Sequence, residues 1–100
     1  MEINITKDGD IMTAVLNGRL DTAASQKFAA DIEPLMDNAD KHIVLDCEKL
    51  DFISSSGLRL FLSLRKATIS QGGDVTITKV SDDVKQVFTI TGFYSLFKFA

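Results

Sequence analysis

Alternating apolar and polar residues predict two strands at the start of the chain. Ile3 and Ile5 alternate with polar neighbours, and this period of two is typical of a half-buried strand. A second apolar run extends from Ile11 to Leu16 and ends at Asn17-Gly18. Between the two runs, Asp8-Gly9-Asp10 has the residue types of a tight turn. The pattern therefore predicts an antiparallel hairpin.

The spacing of apolar residues changes to a helical period after the hairpin. The residues that recur on one helical face are Phe28, Ile32, Leu35 and Met36. Asp21 or Thr22 is suited to cap the first turn of this helix, because both side chains accept a backbone hydrogen bond. Pro34 lies inside the pattern and removes a backbone donor, which predicts a kink or an early end.

The middle of the chain predicts a buried strand, a link and a long helix. His42 to Leu45 is short and apolar at successive positions, as in a strand that is covered on both faces. Asp46 to Asp51 is expected to be a polar link, after which Phe52-Ile53 is apolar again. Ser54-Ser55-Ser56-Gly57 then begins a helix that extends to about Ser70.

This long helix has only a narrow polar side. Its polar stripe consists of Arg59, Ser63, Lys66 and Ser70. The remaining surface is mostly covered by Leu58, Leu60, Phe61, Leu62, Leu64 and Ala67. A helix this apolar is expected to be largely buried or to present part of its surface to a partner.

The last third of the chain predicts one more strand and one more helix. Gly72-Gly73 ends the long helix, and Val75 to Ile77 alternates as a strand. Ser81 is suited to cap the next helix, and Gly92 to end it. The aromatic segment Phe93 to Phe99 must pack on the body or on a partner. Strands that alternate with helices predict an α/β domain with a largely parallel sheet and right-handed crossovers.

Composition narrows the classes of protein. The chain has 100 residues, 45% hydrophobic and 25% charged, as expected for one compact domain over residues 1–100. The net charge is -3 without a polybasic run, which disfavours nucleic acid and anionic membrane surfaces as partners. No apolar stretch approaches the roughly 20 residues of a membrane span, and the N-terminus lacks a signal-peptide pattern. We therefore expect a soluble, cytoplasmic domain without membrane insertion.

Few residues are available for catalysis or metal binding. His42 is the single histidine and Cys47 the single cysteine, so neither can join a multi-residue metal site of the usual kind. We interpret His42 as a histidine at a strand edge and Cys47 as a buried structural thiol. No glycine-rich nucleotide fingerprint is present. The sequence thus gives no support for an enzyme, a cofactor or a metal.

The run Ser54-Ser55-Ser56-Gly57 has two interpretations. In the first, the serines cap the long helix and the glycine allows close packing. In the second, the helix start is a phosphorylation site, because its free N–H groups and dipole stabilise an anion. On the helical wheel, Ser55 points toward the polar stripe and is the most outward of the three. A phosphate of about -1.5 to -2 charges there would disrupt an interface built on the neutral hydroxyl.

Three motifs together resemble one protein family. Gly18-Arg19-Leu20-Asp21 is similar to a G-x-L-D motif, and Val44 to Leu58 is similar to a pattern that ends in D-S-S-G-L. Val84 to Phe93 is similar to a closing V-F-x-I-T-G motif. In this order and spacing they resemble the STAS domain family, specifically the small bacterial anti-sigma factor antagonists, also called anti-anti-sigma factors. The similarity covers essentially all 100 residues.

The resemblance implies a fold, a function and a site. The fold would be a mixed sheet of about four strands with helices mainly on one side. The unphosphorylated protein would bind an anti-sigma factor that is also a serine kinase and so release a sigma factor for transcription. Phosphorylation of Ser55 would end this binding, and a PP2C-type phosphatase would restore it, which completes a partner-switching cycle. The residues that would contact the partner are Asp21, Ser54, Ser56, Gly57 and Arg59.

One position departs from the family pattern, and one other function stays open. The residue before the acceptor is Ser54 where the family has Asp, so Ser54 or Ser56 could compete with Ser55 for the phosphate. The alternative function is an accessory subunit of an ABC-type lipid transport complex. Such a subunit would bind its ATPase without being regulated by phosphorylation.

Overall fold

Strands and helices alternate along the chain, and a computed structural model describes all 100 residues. The strands are β1 (Glu2–Asp8), β2 (Ile11–Leu20), β3 (His42–Ile53), β4 (Asp74–Thr78) and β5 (Lys98–Phe99). The helices are α1 (Thr22–Asp31), α2 (Glu33–Met36), α3 (Ser55–Gln71) and α4 (Asp82–Ile90). A short 3-10 helix over Tyr94–Leu96 precedes β5. The predicted α/β class is confirmed.

The five strands form one mixed sheet in the order β1-β2-β3-β4-β5. β1 and β2 pair antiparallel as the predicted hairpin, with Asp8 opposite Ile11 at the turn. The β2–β3, β3–β4 and β4–β5 pairs are all parallel. The mostly parallel sheet is therefore confirmed. The fifth strand is only two residues long and lies within the aromatic segment at the end of the chain.

The helices cover one face of the sheet. On β2 the buried residues Met12, Ala14 and Leu16 alternate with half-buried or exposed ones, so only one face is covered. The expectation that His42 to Leu45 is covered on both faces is wrong, because β3 shows the same alternation. On the covered face, a row of aromatic rings links α1, α3, α4 and the end of the chain: Phe28, Phe61, Phe88 and Phe97. Phe97 is 9% exposed, which confirms that the aromatic segment packs on the body.

The polar link expected over Asp46–Asp51 is wrong, since β3 continues through it to Ile53. The register between β2 and β3 shifts twice, so that β3 contributes two more residues than β2 over this stretch. Such bulges break the alternation of buried and exposed positions. The buried residues Cys47, Leu50 and Ile53 consequently recur every third position, a period that matches no regular strand.

β2 likewise continues beyond the predicted end at Asn17-Gly18 and reaches Leu20. Gly18 has a φ of 111°, a conformation that suits glycine and that coincides with the irregular register. The strand thus leads directly to Asp21, the residue that caps α1.

The predicted helix ends are mostly confirmed. Asp21, and not Thr22, caps α1, and Ser81 caps α4. α3 ends at Gln71, where Gly72 adopts the left-handed conformation at φ 86°. The interruption predicted from Pro34 is observed, because α1 stops at Asp31 and a separate helix, α2, begins at Glu33 with the proline in its first turn.

Candidate functional site

The starts of α1 and α3 lie side by side because β2 and β3 are parallel neighbours. Leu20 and Ile53 are partners in the last rung of this pair. The Ser54 N–H donates to the Leu20 carbonyl oxygen at 2.8 Å, so the contact continues one residue beyond β3. Each chain then turns into a helix. Two helix N-termini consequently share one edge of the sheet, with their unpaired N–H groups and positive dipole ends.

Gly57 allows the start of α3 to approach β2 closely. A Cβ atom at this position would lie 2.7 Å from Leu20 Cγ and 3.1 Å from Ile53 Cγ1. These distances are shorter than a van der Waals contact, so any side chain would push the first turn of α3 away from the sheet. The close packing expected of this glycine is thus observed, and it fixes the position of the preceding serines.

A chain of hydroxyl groups connects the two helix starts. The Gly57 N–H donates to Ser54 Oγ at 3.1 Å, which makes Ser54 the N-cap of α3. Ser25 Oγ donates to the Asp21 carbonyl oxygen at 2.8 Å and lies 3.4 Å from Ser54 Oγ. Because the Ser25 proton is used toward Asp21, the proton between the two serines comes from Ser54. This hydroxyl chain ties the cap of α3 to the first turn of α1.

The Asp21 carboxylate is part of the same arrangement. Its Oδ1 accepts from the Ala24 N–H at 2.8 Å and so caps α1, and the side chain is half-buried. The structure therefore brings Asp21 and Ser54, both expected to contact the partner, to one site through Ser25. The role of Asp21 that the structure shows is that of the N-cap of α1.

The three consecutive serines have different surroundings. Ser54 is half-buried in the hydroxyl chain, and Ser56 is half-buried at a hollow between α1 and α3. This hollow has a volume of about 360 Å³ and is lined by Thr22, Ser25, Gln26, Ser56, Arg59 and Leu60. Ser55 is exposed, and its hydroxyl makes no hydrogen bond within the chain. Ser55 is thus the most accessible hydroxyl of the three, as the helical wheel predicted.

The helix that carries Ser55 is entirely free of acidic residues. From Ser55 to Gln71, its charged residues are Arg59, Arg65 and Lys66. None of these cations forms a salt bridge. The predicted polar stripe of Arg59, Ser63, Lys66 and Ser70 is exposed, whereas Leu58, Phe61 and Leu64 are buried. The exposed face of α3 is therefore mostly polar and positively charged, with Ile69 as an exposed apolar residue near its end.

Ser25 belongs to the site, although sequence reasoning missed it. It is only 6% exposed and lies on the side of α1 that also buries Phe28. A hydroxyl at a core-facing position requires a hydrogen-bond partner, since burying an unpaired polar group is costly. Ser25 precedes the apolar Phe28 by three residues, and this helical spacing was the signal in the sequence that Ser25 lies on the buried side of α1. The partner, Ser54, is 29 residues away and is identified only by the fold.

The sequence analysis also did not identify a second pair of residues, which lies next to the serines at the ends of β2 and β3. Arg19 and Phe52 face each other across β2 and β3, and the guanidinium carbon lies 4.5 Å from the ring centroid. Phe52 is 36% exposed and Arg19 is also exposed. Arginine and aromatic residues contribute strongly where proteins bind one another. The edge of the site therefore carries an exposed aromatic surface.

Replacing Ser54 with Ala is expected to lower the free energy of unfolding by about 1 kcal/mol, the usual cost of losing an N-cap. Ser54→Asp is expected to retain most of the stability, because a carboxylate at 54 also accepts from the Gly57 N–H. Urea unfolding followed by circular dichroism measures both values. Ser81→Ala, which removes the cap of α4, is the matched control. Equal stability of Ser54→Ala and the wild type would contradict this role.

The single histidine and the single cysteine lie away from the site. His42 is exposed at the start of β3, where its Nδ1 is 3.1 Å from both carboxylate oxygens of Asp74. Cys47 is buried, as predicted, and burial together with the neighbouring Asp46 charge raises the pKa of its thiol from 9.0 to about 12. No three His, Cys, Asp or Glu side chains are grouped as metal ligands. None of the helices has the length and apolarity that crossing a lipid bilayer requires.

The raised pKa of Cys47 predicts a thiol that reacts only when the chain unfolds. At pH 8.5 a thiol with a pKa of 9.0 is about one quarter thiolate, whereas a pKa of about 12 leaves roughly a thousandth of that amount. Iodoacetamide is therefore expected to alkylate the thiol rapidly in urea and very slowly in buffer, as followed by intact-mass spectrometry. Equal rates in the two solutions would contradict the burial of Cys47.

Comparison with known proteins connects this fold and site to a family. The sequence model of the STAS domain matches residues 2–100. A Bordetella bronchiseptica protein, BtrV, which is named as an anti-sigma factor antagonist, is 31% identical over 100 residues. The match covers all of this chain and 86% of BtrV. The anti-sigma-B factor antagonist of Staphylococcus aureus is 25% identical over 96 residues. That match covers 96% of this chain and 89% of the Staphylococcus aureus protein.

Solved structures show the same fold. The anti-sigma factor antagonist SpoIIAA in its unphosphorylated form superimposes with a TM-score of 0.79 at 22% identity. That comparison covers 99% of this chain and 88% of SpoIIAA. The phosphorylated form of SpoIIAA from Bacillus gives a TM-score of 0.73 at 22% identity, over 99% of this chain and 91% of SpoIIAA.

Proposed function

This chain belongs to the STAS domain family, as its three motifs predicted, and we propose that it is an anti-sigma factor antagonist controlled by phosphorylation of Ser55. In this proposal the unphosphorylated protein binds an anti-sigma factor and so releases a sigma factor. The anti-sigma factor is also the serine kinase that modifies Ser55. A PP2C-type phosphatase removes the phosphate. The chain itself acts by binding and carries out no turnover.

The observation that carries the proposal is the exposed, unbonded hydroxyl of Ser55 at the first turn of α3. A kinase needs an accessible acceptor, and the two flanking serines are half-buried. The relatives support the same function, since BtrV and the Staphylococcus aureus protein are both named as antagonists. SpoIIAA, whose fold this chain shares, is known in both an unphosphorylated and a phosphorylated form.

The physical basis of the switch is that the domain itself can accommodate a phosphate on Ser55, whereas its interface with the partner cannot. Within the domain, the helix dipole and the absence of acidic residues in the first turn of α3 accommodate a phosphate. At an interface, the same group adds about -1.5 to -2 charges and a bulky, hydrated substituent. The exposed cations Arg59 and Lys66 favour a partner with acidic groups at this place. The phosphate would repel those acidic groups and end the binding.

A pull-down from the source organism's extract tests the proposal. Wild type and Ser55→Glu serve as baits with added ATP or ADP, and mass spectrometry identifies what each retains. We expect the wild type to retain a small serine kinase that Ser55→Glu loses. An ATPase retained equally by both baits would instead favour the accessory subunit of a lipid transport complex, and Ser55 would then have no switching role.

A further inference from the structure

We propose that Arg59 is the internal counter-ion of phosphorylated Ser55. This inference rests on the proposed phosphorylation of Ser55. It assigns Arg59 a role inside the domain in addition to partner contact: the guanidinium binds the phosphate from one helical turn away. The phosphorylated protein then presents a phosphate–guanidinium pair of net negative charge where the unmodified protein presents a free cation.

Helix geometry places the two side chains together. Ser55 and Arg59 are separated by four residues within α3, and side chains at this spacing are neighbours with Cβ atoms about 5 to 6 Å apart. Helical side chains lean toward the N-terminus, so Arg59 extends over the turn that contains Ser55. An anion that precedes a cation by four residues is the favoured orientation of such a pair. Both side chains are exposed, so neither is held in the core and away from the other.

Arg59 has no competing acceptor in the unmodified chain. It takes part in no salt bridge, although four other basic side chains lie within salt-bridge distance of carboxylates: Lys27, Lys41, His42 and Lys79. α3 contains no acidic residue, and the hollow beside Arg59 is lined by hydroxyls, an amide and a leucine. The guanidinium is thus free to bind a phosphate, with which it forms bidentate hydrogen bonds.

The titration of the phosphate itself tests this pairing. Phosphoserine is introduced at position 55 by genetic encoding, so that no kinase is needed, and its second pKa is measured by ³¹P NMR. An adjacent cation favours the dianion and lowers this pKa. We expect the pKa in the otherwise wild-type protein to be about 0.2 to 0.4 unit below that of the Arg59→Gln variant. The difference is expected to shrink in high salt, and Arg59→Lys is expected to restore part of it.

Lys66→Gln is the matched control, since it removes the same charge from the same exposed face. Lys66 lies eleven residues beyond Ser55, or about 16 Å along the helix, which exceeds the Debye length of about 8 Å at physiological salt. A pKa unchanged by Arg59→Gln, or changed equally by Lys66→Gln, would overturn the inference. Failure of the proposed function is a separate result: the phosphoserine protein would bind its partner as tightly as the unmodified protein, whatever the titration shows.

Discussion

Replacing Ser55 with Glu is expected to weaken binding to the partner by roughly a hundredfold, which corresponds to about 2.8 kcal/mol. The reason is electrostatic, because a carboxylate at this place faces the acidic groups that the cationic surface of α3 is proposed to attract. Like charges brought together at an interface cost several kcal/mol. Ser55→Ala carries no charge and is expected to keep the affinity of the wild type. Isothermal titration calorimetry with the purified partner measures all three proteins.

Ser63→Glu is the control for this prediction. Ser63 is exposed on the same face of α3, eight residues after Ser55, and its substitution adds the same charge. If the loss of affinity requires a negative charge at position 55, Ser63→Glu is expected to bind the partner much more tightly than Ser55→Glu does. Equal affinities of wild type and Ser55→Glu would show that this hydroxyl does not control binding.

Replacing Phe61 with Ala is expected to lower the free energy of unfolding by about 3 to 5 kcal/mol, the usual cost of truncating a buried phenylalanine. Phe61 is 1% exposed, and its ring centroid lies 6.0 Å from those of Phe28 and Phe88 and 6.4 Å from that of Phe97. Its loss leaves a cavity where α1, α3 and α4 meet. Since domains are stable by only about 5 to 15 kcal/mol, this change removes a large fraction of the total.

Thermal and urea unfolding measure this effect, and two further variants make it interpretable. Phe61→Leu retains most of the buried volume and is expected to lose much less stability, so it gives a value even if Phe61→Ala does not fold. Phe52→Ala removes an exposed ring of the same type and is expected to cost less than Phe61→Ala. Equal losses for Phe52→Ala and Phe61→Ala would contradict the placement of the core under α3.

The regular elements could be predicted from the sequence because their periodicity is local. Ile3 and Ile5 marked the first strand, and the apolar positions of α3 marked a helix that ends where Gly72 requires it. The second half of β3 could not be predicted in the same way. Two bulges there place Cys47, Leu50 and Ile53 three residues apart, so the local pattern is typical of neither a strand nor a helix. Only pairing with β2 keeps this segment extended.

The exposure of Ser55 could be predicted from the sequence, whereas the contact between the less exposed Ser54 and Ser25 could not. A helical wheel is sufficient to place Ser55 on the exposed face of α3, and the structure confirms that exposure. The contact of Ser54 with Ser25 depends on the parallel pairing of β2 and β3, which brings two distant helix starts together. The Ser54 hydroxyl also caps α3 by accepting from the Gly57 N–H, a bond that a carboxylate at this position would accept as well. The acceptor role of Ser55 stays a prediction.

Phosphopeptide mapping tests the central claim most directly. The wild type and Ser55→Ala are each incubated with the captured kinase and ATP, then digested and analysed by mass spectrometry, while size-exclusion chromatography follows the complex. We predict a single phosphate on Ser55, none on Ser55→Ala, and dissociation of the wild-type complex as the phosphate accumulates. A phosphate on Ser54 or Ser56, or a complex that persists after Ser55 is fully phosphorylated, would contradict the claim that this one exposed hydroxyl is the switch.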